Sequence, residues 1–282
     1  MKKKILFAIF AIQLAGITAF AQINLGEKAL GAIQKGVTGF TFSNEDAAKL
    51  SKEAVAKMDA ENAVATSKDP YTIRLNKLFS KHQSENGLAL NYKVYKVKEV
   101  NAFATADGSV RVFSGLMDIM DDNELLAVIG HEIGHVANND SRDAIKASYK
   151  KEALLDAAAS QSGTIATLTD SQLGKIGNAL LDSSHSRSQE TDADTYSYNF
   201  MKKNGYNVNA VESAFLILAK LSEGTDSTFI TRMMSSHPDP KQRAEDAKNK
   251  AITEGLYKPY VKKVAKTNTK KTTIKKAVKK KK

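Results

Sequence analysis

The chain of 282 residues is 42% hydrophobic, with four prolines and no cysteine, which excludes a collagen-like, coiled-coil or wholly disordered protein and leaves one large domain or two small ones with a real core. Its net charge of +11 suggests a nucleic-acid binder only until it is divided along the chain. Lys2, Lys3 and Lys4 carry three charges and the acid-free stretch from Lys258 to Lys282 carries twelve, leaving −4 on the residues between, so the body is mildly acidic and no nucleic-acid partner is expected.

The first 21 residues combine the Lys2–Lys4 cluster, an apolar stretch from Ile5 to Phe20 and the small residues Ala19 and Ala21. This is the pattern of a secretory signal peptide cleaved after Ala21. Gln13 interrupts the apolar run well short of the ~20 residues a membrane span needs, so the alternative, an uncleaved anchor, is the weaker reading. The mature protein is then exported, periplasmic or otherwise in the cell envelope, with no transmembrane helix. The lack of cysteine excludes disulfides, thiolate metal sites and lipid attachment at a signal-peptide cysteine.

Residues 22–66 offer two helical patterns, the second opened by Ser43 with Asp46 three positions on and carrying Val55 and Met58 on one side. Propeptide, lid or part of the core are all open readings of this segment. Asp69-Pro70 places a cap and a first-turn proline before Tyr71, Leu75, Leu78 and Phe79, which recur at helical spacing. From Ala89 to Phe113 β-branched and aromatic residues predict two or three antiparallel strands, with Asp107-Gly108 as the turn between Asn101–Thr105 and Val110–Phe113. Asp121 with Glu124 forms a capping-box pattern ahead of Leu125, Leu126, Val128, Ile129, Ile133 and Val136, a largely buried helix. Further helices follow to Gly255, ended in places by Gly205, Gly224 and Gly255. The predicted fold is α+β, mostly α, with one small sheet. The domain spans 22–257, and the lysine-rich tail 258–282 cannot bury enough apolar area to fold alone.

Inside the buried helix lies His131-Glu132-Ile133-Gly134-His135. Positions i and i+4 share a helix face, so both imidazoles can reach one Zn²⁺ while Glu132 sits beside the water that such an ion activates, as general base. Two histidines and a glutamate on an apolar helix are otherwise costly to bury. A catalytic zinc needs a third protein ligand. Downstream, Glu190 and Asp194 share a face of the helix opened by Ser186; Glu190 is the candidate ligand and Asp194 a candidate acceptor for the distal nitrogen of a ligand histidine. Spacing alone gives equal weight to a solvated acidic helix start.

His131 to His135, followed by Glu190 with Ala193-Asp194, resembles the gluzincin metallopeptidases of the CAAX-prenyl-endopeptidase, HtpX and bacterial envelope BepA/LoiP type. Asn101-Ala102-Phe103-Ala104 with Asp107-Gly108, Ser114-Gly115-Leu116, and Ser236-His237-Pro238 followed by Arg243 match in the same order. The resemblance covers about residues 69–247 and implies a zincin-like domain with one Zn²⁺ per chain on His131, His135 and Glu190. It implies that Asn101, Ala102, Phe103 and Ala104 form an edge strand pairing with an extended peptide, a mode suited to sequence-tolerant cleavage of unfolded segments. His237 and Arg243 would lie near the metal, steadying the developing oxyanion or holding the Glu190 helix; alternatively His237 occupies the fourth zinc position and closes the resting enzyme. His82 is expected on a helix surface and His185 in a loop near the site.

The implied function is hydrolysis of unfolded or misassembled envelope proteins. The alternative is a zinc-containing chaperone or binding protein of the envelope with repressed proteolysis; an intact Glu132 favours the peptidase. For the tail the readings are a passive segment, a tether to an anionic membrane surface or, least favoured because a signal peptide argues against meeting it, nucleic-acid binding.

Overall fold

The structure, a computed structural model, describes residues 42–85, 87–155, 168–224 and 230–262. The expected signal peptide, the first helical pattern after it and the tail beyond residue 262 lie outside the described residues. Helix α1 (Asn44–Glu61) precedes α2 (Pro70–Phe79), two short paired strands β1 (Ser84–Glu85) and β2 (Leu88–Ala89), and a sheet of β3 (Asn91–Tyr95), β4 (Ala102–Ala104) and β5 (Ser109–Phe113). Then come α3 (Ser114–Ile119), α4 (Asp122–Ala137), α5 (Asp140–Leu155), α6 (Asp170–Asp182), α7 (Arg187–Lys203), α8 (Asn209–Ser222), α9 (Thr231–Ser236) and α10 (Pro240–Thr253). The architecture is α+β and mostly α, as expected, and among the described residues no helix is long and apolar enough to cross a membrane.

The helix starts follow their local chemistry. Ser43 with Asp46 and Asp121 with Glu124 close reciprocal capping boxes, and Asp69 accepts from the amide of Tyr71 ahead of Pro70. Gly205 and Gly255, just past the ends of α7 and α10, take φ of +70° and +68°, the left-handed conformation that glycine adopts without a Cβ penalty.

The sheet departs from the antiparallel expectation in one pair. Its order is β3-β5-β4, with β4–β5 antiparallel across the Asp107-Gly108 turn but β3–β5 parallel. The turn commits β4 and β5 to each other, and β3 takes the far side of β5. The chain then crosses the end of β5 through residues 96–101, where Gly115 donates its amide to Val97 at 2.9 Å. A Cβ at Gly115 would collide with the carbonyl oxygens of Lys98 and Glu99, which explains the glycine at the strand exit.

Helix α1 is part of the packed body. Its Ala47, Leu50 and Ala54 pack with Ile145 and Tyr149 of α5 and Ile176 of α6, and Val55 and Met58 pack against Tyr95, Phe103 and Phe113 of the sheet. Asp59 pins it there. Its carboxylate accepts from Arg111 at 2.8 and 3.0 Å, from Lys93 at 2.7 Å and from Tyr95 at 2.7 Å. Past residue 257, Tyr260 donates to Asp121 and Lys262 approaches Glu124 at 3.0 Å, so the chain beyond α10 straps the start of α4.

His82 is not on a helix surface. It follows α2, is 4% exposed and shares a 2.7 Å hydrogen bond with the Tyr206 hydroxyl amid Phe79 and Phe200. The helical register ended at Phe79, and the chain turns inward there.

Burial opposes ionisation of Asp59, but its hydrogen bonds to Arg111, Lys93 and Tyr95 overcome it and hold the carboxyl below its ordinary value. A depressed folded value means that this stabilisation is present above the ordinary carboxylate range and is lost as pH falls through the folded value. Asp59→Asn should cost about 3 kcal/mol at pH 7, because Arg111 is left buried without its counter-ion. Urea denaturation should show the gap to wild type closing as pH drops below about 4.

Candidate metal centre

Helix α4 is buried from Glu124 through His135, which is unusual for a segment with four ionisable side chains and needs partners. They come from α7. Gly130 and Gly134 present bare backbone to it: a Cβ on Gly134 would lie 3.0 Å from Ala193 Cα and Tyr196 Cβ, and one on Gly130 3.1 Å from Phe200. The Ser197 hydroxyl donates to the Ala127 carbonyl at 2.6 Å. This close approach sets Glu190 and Asp194 against His131 and His135.

Four donor atoms converge. His131 Nε2 is 3.0 Å from His135 Nε2 and 3.2 Å from His237 Nδ1. Glu190 Oε1 is 3.0 Å from His237 Nδ1 and 3.4 Å from His135 Nε2. A tetrahedral ion with bonds of ~2.0–2.1 Å separates its ligands by roughly 3.3–3.4 Å, close to these values. His131, His135, Glu190 and His237 are all buried and form a group able to hold a metal ion. Glu132 Oε1, beside them, is buried with no hydrogen-bond partner, and an orphaned carboxylate oxygen needs an occupant. The donor set and this orphan both fit a resident cation with a water beside it.

Each histidine of α4 has its own carboxylate. Asp194 Oδ1 is 2.8 Å from His131 Nδ1, and Asp140 Oδ2 is 2.9 Å from His135 Nδ1. Arg243 is bonded to Asp194 at 2.6 and 2.9 Å and to Glu190 Oε2 at 2.6 Å, with its guanidinium 4.1 Å from the Phe215 ring centroid. It reaches α7 because Asp239, with φ of +57°, folds the chain sharply between α9 and α10 and so sets His237 and Arg243 together.

Burial decides two of the four charge states and is overcome in the other two. It lowers His131 to about 3, helped by the charges of Arg243 and His135, and raises Glu132 above the usual carboxylate range. For His135 burial is outweighed by hydrogen bonds to Asp140 and Glu190, which raise it to about 9. Burial is likewise outweighed at Glu190, where hydrogen bonds from His135 and His237 hold the carboxyl far below its ordinary value. A metal taking the His135 nitrogen therefore displaces a proton.

Strand β4 is the sheet edge, as expected for Asn101–Ala104, but that edge is covered. Asn101 Oδ1 takes the Ala102 amide and the Ser141 hydroxyl donates to the Ala104 carbonyl. Leu180 and Leu181 of α6 close over it, leaving a cavity of about 20 Å³ that also touches Glu132, His135, His185 and His237, room for about one water molecule. His185 lies in the loop before α7, as expected; its ring stacks on His135 at 3.8 Å and its amide donates to the Ser236 carbonyl at 3.1 Å.

Sequence reasoning missed Asp140 and the two helix glycines. Asp140 lies five residues after His135, a spacing that shares no helix face. It returns to the ring only through the left-handed turn at Asn139, φ +67°. The readable signal was Asn138-Asn139-Asp140, a helix stop followed by a new helix start.

A buried helix carrying His-Glu-x-x-His, backed by a glutamate and an aspartate one turn apart on a second helix, defines a metallopeptidase domain of the zincin type. The model of peptidase family M48 matches residues 74–251, and the chain belongs to that family of zinc metallopeptidases. It is 37% identical over 230 residues to Metalloprotease LoiP of Escherichia coli K12, covering 80% of this chain and 90% of the relative. It is 39% identical over 223 residues to Metalloprotease YcaL of the same organism, covering 78% and 86%. A beta-barrel assembly-enhancing protease of Yersinia pestis is 28% identical over 170 residues, 54% of this chain and 32% of the relative.

Gly134→Val should separate α4 from α7 and weaken metal binding by more than about 10-fold, because backbone and Cβ atoms of α7 cannot yield as a side-chain tip can. Gly130→Ala, which meets only side-chain atoms, the Phe200 ring at 3.1 Å and the Ser197 hydroxyl at 3.5 Å, should bind nearly as wild type. Competition with a chromophoric chelator distinguishes the two.

Proposed function

We propose that the protein is an exported zinc endopeptidase that hydrolyses peptide bonds of unfolded or misassembled envelope proteins. The observation that carries the reading is the convergence of four donor atoms beside the unpartnered Glu132 Oε1. In this reading His131, His135 and Glu190 hold one zinc ion. Zinc supplies Lewis-acid polarisation of the scissile carbonyl and lowers the pKa of water at the site. Glu132 takes the proton from the attacking water and passes it to the leaving amine; burial, which raises its pKa, suits it to hold that proton. Asp194 fixes the His131 tautomer, and Arg243 holds Glu190 and Asp194 in place. Asn101–Ala104 pair with the substrate backbone once the edge is uncovered.

His237 fits the resting-state role better than that of oxyanion donor, since its Nδ1 lies 3.2 Å from His131 Nε2 and 3.0 Å from Glu190 Oε1, among the atoms that would hold the ion. With the fourth position filled and about 20 Å³ of free space, an extended peptide cannot reach Glu132 until His237 and the α6 cover move aside. The same features favour the second reading, a zinc-containing envelope chaperone or binding protein with repressed proteolysis. The signal peptide over residues 1–21 supports export, and the lysines after residue 262 support a tether to anionic lipid.

Casein hydrolysis and zinc content of the mature chain test the reading together. Glu132→Gln should lower kcat by about 10²–10⁴-fold with zinc retained at one per chain, and chelation should abolish activity. His237→Ala should raise turnover if His237 holds the fourth position; zinc-loaded wild type and His237→Ala that both leave casein intact would favour the binding protein. Deleting residues 263–282 should abolish sedimentation with phosphatidylserine vesicles and leave casein hydrolysis unchanged.

A further inference from the structure

Resting on the metallopeptidase reading, we propose that Asp140 is a positioning residue for His135, and that Gln189 holds Asp140 in place from the helix that carries Glu190. Asp140 Oδ2 lies 2.9 Å from His135 Nδ1, and Asp140 Oδ1 accepts from Gln189 Nε2 at 2.8 Å. Both Asp140 and His135 are buried, at 7% and 2% exposure. A carboxylate against Nδ1 requires the proton on that nitrogen and leaves the Nε2 lone pair for the metal, the tautomer a ligand histidine must have.

Gln189 is suited to the task because both ends of its amide are committed. Its oxygen accepts from the Ser186 amide at 2.9 Å in the capping box that opens α7. Its nitrogen therefore faces Asp140, one residue before Glu190. The first turn of α7 thus sets a metal ligand directly and, through Gln189 and Asp140, the orientation of a second ligand. The His185 ring stacks on the face of His135 with 14° between planes, so the imidazole is fixed at its edge by Asp140 and at its face by His185.

The two carboxylate–histidine pairs differ in a way that matters. Both oxygens of Asp194 bond Arg243, so its charge is shared with a cation. Asp140 has the neutral Gln189 amide instead, and its charge acts on His135.

The test uses the mature full chain, zinc affinity by chelator competition and the visible absorption spectrum of the Co²⁺-loaded protein. Asp140→Ala should bind zinc about 10–100-fold more weakly and shift the cobalt bands. Asp140→Asn, whose single carbonyl oxygen can accept from Nδ1–H but then turns its NH2 against that of Gln189, should recover only part of that loss. Gln189→Glu keeps the Ser186 cap but places a carboxylate against Asp140. It should weaken zinc binding roughly 10-fold in the wild-type background and have no further effect in Asp140→Ala, and it carries the test by itself if Asp140→Ala does not fold. Wild-type zinc affinity and cobalt spectrum in Asp140→Ala, or in Gln189→Glu, would overturn the inference. So would two ions per wild-type chain falling to one in Asp140→Ala, since Asp140, His135 and His185 would then be ligands of a second ion. A wild-type chain that binds no metal would overturn the peptidase reading as well.

Discussion

The distance between α4 and α7 governs everything else in this molecule. One helix carries His131, Glu132 and His135; the other carries Glu190 and Asp194. Their side chains are short, so they meet at metal-ligand separations only if the helix backbones nearly touch. Gly130 and Gly134 on α4 and Ala193 on α7 make that approach sterically possible. Glycine within a helix costs about 1 kcal/mol each relative to alanine, a cost offset by the packing it permits and accepted for the geometry it secures.

Bringing those groups together creates an electrostatic problem. Ionised Glu190 is buried and Asp194 half-buried beside these imidazoles, and such groups are held only when paired. Arg243 answers part of the demand, and protonation of His135 answers part. A cation taken up by His131, His135, Glu190 and His237 would replace that proton and answer the rest. Helix α10 is therefore as much a component of the centre as α4, since Arg243 reaches both acids and its position depends on the tight turn that also delivers His237.

The cover over the cleft has a comparable logic. Asp59 ties α1 to the sheet, α1 packs under α5 and α6, and α6 seats Leu180 and Leu181 against the edge strand. An open edge strand invites indiscriminate pairing. Here its outward groups are met in part by Asn101 and Ser141 of the same chain, so the edge offers little to an incoming strand.

The sequence by itself determined the helix starts, the Asp107-Gly108 hairpin, the metal-binding pentad and the second helix with Glu190 and Asp194. Each of these is a pattern of local period or local capping, legible within one or two turns of chain. Only the tertiary structure decided the direction of β3, the burial of His82, the placing of Arg243 against Glu190, Asp194 and His131, and the carboxylate on His135. The physical reason is common to all four. β3 took the far side of β5, His82 turned inward where its helix ended, and Arg243 and Asp140 reached their partners through left-handed turns at Asp239 and Asn139. Contacts made across such turns and between packed elements carry no periodicity along the chain.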